Sequence, residues 1–171
     1  MAASQSIRIL GIDPGSQITG FGVVEAAGSR TTAVEWGSIR TDGEHSERLR
    51  SIFEALGRIV REFKPTEIAI ERVFLHRNAD SALKLGQARA AAICATFESD
   101  APIYEYSARH IKQAVVGRGG AEKQQVQRMV QMILGLSDEI APDAADALAA
   151  AICRAHERST REWLRTAAVK I

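Results

Sequence analysis

A chain of 171 residues, 46% hydrophobic and 25% charged, is long enough for one ordinary domain with a core of its own. Thirteen glycines and four prolines exclude collagen-like and disordered classes, and two cysteines exclude a disulfide scaffold. The formal net charge of +1 argues against a polycation that coats nucleic acid or anionic membrane, yet it conceals an uneven distribution. Lys and Arg number 8 against 10 Asp and Glu in residues 1–71, 9 against 5 in 72–128, and 5 against 6 in 129–171, so the positive excess lies in the middle.

Cys94 and Cys153 each lie in an Ala-rich apolar stretch with no ligand-like neighbour, which points to a reducing compartment and no structural zinc. The N-terminus has no basic segment ahead of an apolar one, and no apolar run reaches 18 residues, so a cytoplasmic protein without membrane association is expected.

The run Ile7 to Asp13 is β-branched, mostly apolar and closed by Pro14-Gly15, which predicts a buried strand. Gly20–Val24 and Trp36–Arg40 follow as two more strands, with turn chemistry at Ala27-Gly28-Ser29. From His45 to Lys64 the apolar positions Leu49, Ile52, Phe53, Leu56, Ile59, Val60 and Phe63 recur at helical spacing, and Pro65 ends the pattern. Glu67–Glu71 is a short strand, reached as a helical crossover would reach it. An Ala-rich helix is predicted from Ala79 to Phe97, a fifth strand at Pro102–Tyr106, a short helix over Ala108–Val116, a loop at Gly117–Gly120 and another helix over Glu122–Leu134. The last helix begins near Ala141-Pro142-Asp143 and runs to about His156. No repeat or linker divides the chain. The expectation is one α/β domain over residues 1–158, with 159–171 a tail or terminal helix.

Three acidic places stand at element ends. Asp13 terminates the first strand before Pro-Gly, either as a turn former or as a carboxylate projecting from the sheet edge. Glu71 ends the fourth strand, where an acid in the sheet interior would be costly. Asp143 and Asp146 are three apart at a helix start, on one face and about 5–6 Å apart at their β-carbons; they compensate the helix dipole, or they repel until a cation joins them. Carboxylates converging from two strand ends and a helix start would suit a hard, oxygen-seeking cation such as Mg²⁺. Two such ions can activate a water and stabilise a leaving oxygen in phosphodiester hydrolysis without a Ser or Cys nucleophile. Spacing alone does not show convergence.

The segments Leu10–Ser16, Thr19–Gly22, Ala69–Phe74, Asn78–Arg89 and Asp143–Ala149, in this order, closely resemble the RuvC family of Holliday-junction resolvases over roughly residues 7 to 156. That resemblance implies a ribonuclease H-like fold with a five-stranded mixed sheet flanked by helices. It implies a homodimer that makes paired Mg²⁺-dependent nicks in a four-way DNA junction during recombination and repair. Asp13, Glu71, Asp143 and Asp146 then correspond to the metal-binding catalytic tetrad, with two Mg²⁺ per site and Mn²⁺ as a substitute. Some relatives carry His where Asp143 stands. Phe74 resembles the family's aromatic wedge, which would stack on an unpaired base at the crossover, an interaction of about 1–3 kcal/mol, or it belongs to the core. Lys112 and Lys123 look like basic positions that the family uses near DNA, and Arg77, Asn78, Lys84, Arg89 and Arg118 lie around the implied site, facing phosphate or simply solvated. The RuvA and RuvB branch-migration proteins are implied partners. The smooth run Ala88, Ala90, Ala91, Ala92 and Ala95 beside Leu83, Leu85 and Ile93 permits close helix approach, at a dimer interface or against the sheet.

Three other readings compete. Actin-like kinases share an Asp-x-Gly-Ser turn but need two lobes, and no second phosphate loop is present. A non-catalytic junction-binding protein would leave the four acids unexplained. A RuvC-like nuclease of the ribonuclease H fold acting on RNA would differ in the segments around Phe74 and Asn78–Arg89.

Overall fold

Three strands open the chain: β1 (Ile7–Asp13), β2 (Ile18–Ala27) and β3 (Arg30–Arg40), paired antiparallel as a meander. The computed structural model describes residues 6–72 and 78–168. β2 and β3 extend well beyond the apolar runs that predicted them. Ala27 pairs with Arg30, so Gly28 and Ser29 form a two-residue hairpin turn, and Gly28 takes a φ of +60°. The polar residues of β3 hid its length, because an edge strand exposed on one side carries no continuous apolar run.

α1 (His45–Phe63) crosses to β4 (Glu67–Glu71), and α2 (Ala79–Cys94) crosses from β4 to β5 (Ile103–Tyr106). Both new strands join in parallel, giving one five-stranded sheet in the order β3-β2-β1-β4-β5. A reciprocal capping box between Glu44 and Glu47 starts α1, and Lys64 in the left-handed region ends it. α2 stops at Cys94, short of the predicted Phe97. The Thr96 hydroxyl donates back to the Ile93 carbonyl at 2.8 Å, and one 3₁₀ turn, Phe97–Ser99, follows. α3 (Ala108–Val116) and α4 (Lys123–Leu134) lead to α5 (Pro142–Ala168). α5 runs on past the predicted end near His156, and residues 159–168 continue the helix. No Gly or Pro breaks it after Pro142, and the ion pairs Arg161–Glu157 at 2.7 Å and Arg158–Glu162 at 3.0 Å support its later turns.

Strand alternation sorts the core into two layers. Leu10, Ile12, Val23, Ile68 and Ile70 face α1 and α2, meeting Ile52, Leu56, Val60, Ala88 and Ala92. Ile9, Val24, Ala69 and Tyr106 face the other side, where α5 lies across the sheet with α3 and α4 outside it. By the same period of two, Asp13 and Glu71 belong to the face that α5 covers. α5 is fastened by a buried ion pair, Arg154 Nε to Glu67 Oε2 at 2.6 Å, with Arg158 on the other carboxylate oxygen at 2.8 Å. The Arg154 guanidinium also lies 3.5 Å above the Tyr104 ring centre.

Candidate active site at the ends of β1 and β4

Glycines let α5 reach the sheet at the site. Gly11 in β1 stands opposite Gly22 in β2, and Asp13 stands opposite Gly20. A β-carbon on Gly20 would overlap the Asp143 carbonyl, and one on Gly11 would overlap the Ala147 carbonyl. On Gly22 it would lie 2.6 Å from the Leu148 side chain. Only hydrogen at these positions allows the first turns of α5 to rest on the strands, and that approach carries Asp143 and Asp146 to the end of β1. The sequence reading missed these three glycines as positioning residues. Their signal is the placement of Gly11, Gly20 and Gly22 inside two otherwise apolar strands.

Asp13, Glu71 and Asp146 line one cleft of about 180 Å³ together with Lys112, Lys123, Ala108, Ile111 and Val126. Asp143 is not among the lining residues, but its charge acts on Asp13. A larger groove of about 570 Å³ lies elsewhere, where Arg61, Lys64, Glu98 and Asp100 mix both signs without convergence. Burial pushes the Asp13 carboxyl up to about 7, reinforced by the like charges of Asp146, Glu71 and Asp143 and opposed by Lys123. Burial likewise raises Glu71, Asp146 adds to the shift, and Lys123 and Lys112 oppose it.

Lys123 sits 3.3 Å from Asp146 Oδ2 through Nζ, and that carboxylate is the main cause holding its ammonium above the ordinary lysine range. Lys123 is also the first residue of α4, where the helix dipole disfavours a cation. The acids, not the helix, account for a lysine at this position.

Among the described residues, no three His, Cys, Asp or Glu side chains are drawn close enough to enclose a metal ion. The donor chemistry nevertheless fits a hard divalent cation. Three carboxylates share one cleft, Asp13 resists ionisation because it is buried and its acidic neighbours add to that burial, and an ammonium already occupies the role of counter-charge. Burial first, and then the excess of like charge over the counter-charge of Lys123, raises the Asp13 and Glu71 carboxyls, and an added cation would relieve the second.

Of the residues expected on DNA, Lys112 and Lys123 flank the acids in the cleft. Asn78 caps α2, its side chain accepting from the Asp80 and Ser81 amides. Lys84 pairs with Asp80 at 2.7 Å, and an Arg118 Nη2 donates to Gln125 at 2.7 Å. Arg89 is 18% exposed at its side chain and engaged within the protein, with Glu105. Phe74 and Arg77 lie outside the described residues.

A mixed five-stranded sheet with acids at the ends of its central strands, closed by a helix that carries two more, defines a ribonuclease H-like nuclease. Residues 9–154 match the family described as crossover junction endodeoxyribonuclease RuvC. The RuvC protein of Methylococcus capsulatus is 54% identical over 154 residues, covering 90% of this chain and 93% of its own length. That of Geobacter sulfurreducens is 49% identical over 162 residues, 94% and 99% of the two chains. Thermus thermophilus RuvC in complex with Holliday junction substrate superposes with a TM-score of 0.84 at 33% identity, over 90% of this chain and 96% of the other. The chain belongs to the RuvC family.

Proposed function

We propose that this chain is a structure-selective endodeoxyribonuclease that resolves four-way Holliday junctions by paired, symmetric phosphodiester hydrolysis in recombination and repair. The observation that carries this reading is the convergence of Asp13, Glu71 and Asp146 in one cleft flanked by Lys112 and Lys123, with Asp143 acting on Asp13 from α5.

Nucleases of this family depend on metal, and the ion proposed here is Mg²⁺, two per site, with Mn²⁺ as a substitute. Asp13, Glu71, Asp143 and Asp146 would hold it, and when bound it supplies a nucleophilic water and charge stabilisation at the leaving oxygen. The chain's own residues do the rest. The raised Asp13 carboxyl gives up its proton as positive charge arrives, since an opposite charge favours the ionised form. Lys123, exposed over most of its length but tied by its tip to Asp146, is within reach of a phosphate laid across the cleft mouth. Lys112 approaches from α3 on the other helix that lines the cleft. Ile111 and Val126 give the cleft an apolar floor, which strengthens these charge interactions by lowering the local dielectric.

Other parts of the chain complete the reading. Asn78, Lys84 and Arg118 border the DNA path, Phe74 is the wedge that stacks at the crossover, and Arg77 adds a phosphate contact beside it. Two copies pair through α2. Its exposed face, Ala79, Ala82, Leu83, Gly86, Gln87 and Ala90, lines an apolar groove of about 550 Å³, while Ala88, Ala92 and Ala95 are buried inside the protomer. The alanines expected at the interface thus divide between two faces. RuvA and RuvB are the proposed motor partners and the cytoplasm the proposed compartment; among the described residues no helix is long and apolar enough to cross a membrane. Residues 1–158 form the proposed nuclease domain.

A nicking assay on four-way, Y-form and linear DNA and on a matched RNA duplex, with 5′-end mapping, tests this. Paired nicks at symmetry-related positions of the four-way junction in Mg²⁺ are expected. Binding without nicking would identify an architectural protein, and preferential cleavage of the RNA duplex would identify an RNA-processing relative.

A further inference from the structure

We propose that Arg89 is a positioning residue for Glu71 and not a phosphate contact: from α2 it clamps the ends of β4 and β5 and so fixes where the Glu71 carboxylate stands. The inference rests on the reading of Glu71 as an active-site acid.

Arg89 projects from α2 on the side of the sheet opposite α5. Its Nε donates to the Glu71 backbone carbonyl at 3.4 Å, and its Nη2 lies 2.8 Å from Glu105 Oε2. The first contact is a long hydrogen bond. The second is a charge contact, because Nη2 is shielded from water but makes no aligned hydrogen bond there. Glu105 is held from a second direction by Arg72, with Nε at 3.7 Å, and the Arg72 amide donates to the Tyr106 carbonyl at 2.7 Å. The last residue of β4 and its neighbours on β5 are therefore tied together at the point where the ladder ends.

The geometry separates the two ends of Glu71. Its carboxylate is in the cleft on the α5 face, and its carbonyl is what Arg89 reaches from the α2 face. Arg89 therefore acts through the backbone, on the dihedrals that aim the acid. Two divergent contacts require a rigid fork, which arginine supplies and lysine does not. Arg89 swung out to a phosphate would forfeit both, and with its side chain only 18% exposed it is poorly presented for that purpose. The clamp also joins two functions, since the helix bearing Arg89 carries the exposed apolar face on its other side.

The test uses the full chain in four forms, Arg89→Gln, Arg89→Lys, Glu105→Gln and Glu71→Gln, beside the parent. Mn²⁺ affinity is measured on the free protein by titration calorimetry and electron paramagnetic resonance. Junction affinity is measured in Ca²⁺ across a salt series, and thermal melts establish folding. Arg89→Gln and Arg89→Lys are expected to weaken Mn²⁺ binding about ten-fold, as loss of a supporting contact to a metal ligand does, with an unchanged salt slope for the junction. Glu105→Gln is expected to weaken Mn²⁺ binding in the same direction, and it carries the test should Arg89→Gln fail to fold. A salt slope lowered by about one with Mn²⁺ affinity intact would make Arg89 a phosphate contact and overturn the proposal. So would parental Mn²⁺ affinity in Glu105→Gln and Arg89→Lys while Glu71→Gln binds weakly. Parental affinity in Glu71→Gln would overturn the underlying reading of Glu71 instead.

Discussion

Asp13 carries the sharpest consequence of a single side chain. Its carboxyl titrates near 3.8 in the unfolded chain and at about 7 in the fold, where burial and three like charges oppose ionisation. Between those values the folded chain holds a proton that the unfolded chain has lost. The contribution of Asp13 to the stability of the metal-free protein is therefore fully present below about 4 and is lost as pH rises to about 7. The gap corresponds to at most about 4 kcal/mol, less whatever the neighbouring acids regain by moving apart. With EDTA present, the parent's melting temperature is expected to fall between pH 5 and pH 8, and Asp13→Asn, which keeps the shape without the charge, to flatten that fall. Ca²⁺ at pH 8 should restore the parent but not Asp13→Asn. In Mg²⁺ the same variant should bind a four-way junction about as well as the parent and make no nicks. A melting curve for Asp13→Asn that tracks the parent across pH, or nicking at the parental rate, would contradict this account. All four acids were legible as candidates because each closes a strand or opens a helix. Their meeting was not, since residues 13, 71, 143 and 146 are joined only by the sheet order and by the height of α5.

That height belongs to the element scale, and Gly20 controls it. Replacing its hydrogen with a methyl drives a carbon into the Asp143 carbonyl, so either α5 lifts at its first turn or β2 bends away. The middle of α5 cannot follow freely, because Arg154 and Arg158 hold it to buried Glu67 on β4. Tilt then concentrates at Asp143 and Asp146. Gly20→Ala is expected to lose about 1–3 kcal/mol of stability, as overpacked interiors do, and to lower nicking at least ten-fold in protein that remains folded. Denaturant unfolding with nicking at a temperature below both melts measures the two effects separately, and a folded Gly20→Ala protein with the parental rate would show that α5 tolerates displacement. Elements with strong end signals, such as α1 with its capping box and α3 between Ser107 and Gly117, were legible to within a residue. β3 was not, because only Thr31 of its residues is buried and no continuous apolar run marks it. The end of α5 was not either, because nothing in the sequence after His156 stops a helix and the ion pairs that extend it look like ordinary surface charge.

At the scale of the molecule, the near-zero net charge and the apolar face of α2 have a common resolution. A net charge of +1 cannot by itself draw the protein to a polyanion, but the cleft bears Lys112 and Lys123 beside acids that a bound cation would neutralise. The loaded site is then more positive than the sequence total. A four-way junction is nearly two-fold symmetric, so symmetric resolution calls for two such sites related by a two-fold axis. In the proposed dimer α2 is the element that provides it. Leu83 is 68% exposed on a face of small residues, and its removal from water costs the protomer nothing in its own core. A charge introduced there is buried twice in an isologous contact, once from each copy, against a face of small apolar residues that offers it no counter-charge. Leu83→Asp is therefore expected to leave the thermal melt within about 1 kcal/mol of the parent, as exposed helix positions allow, and to shift sedimentation from dimer to monomer. The monomer keeps its acids, so nicks on a four-way junction should persist at reduced rate while losing their pairing. On a supercoiled cruciform, where coordinated cutting yields linear product and independent cutting yields nicked circles, the variant should give nicked circles. Linear product from a protein that sediments as a monomer would separate paired cleavage from the α2 face altogether.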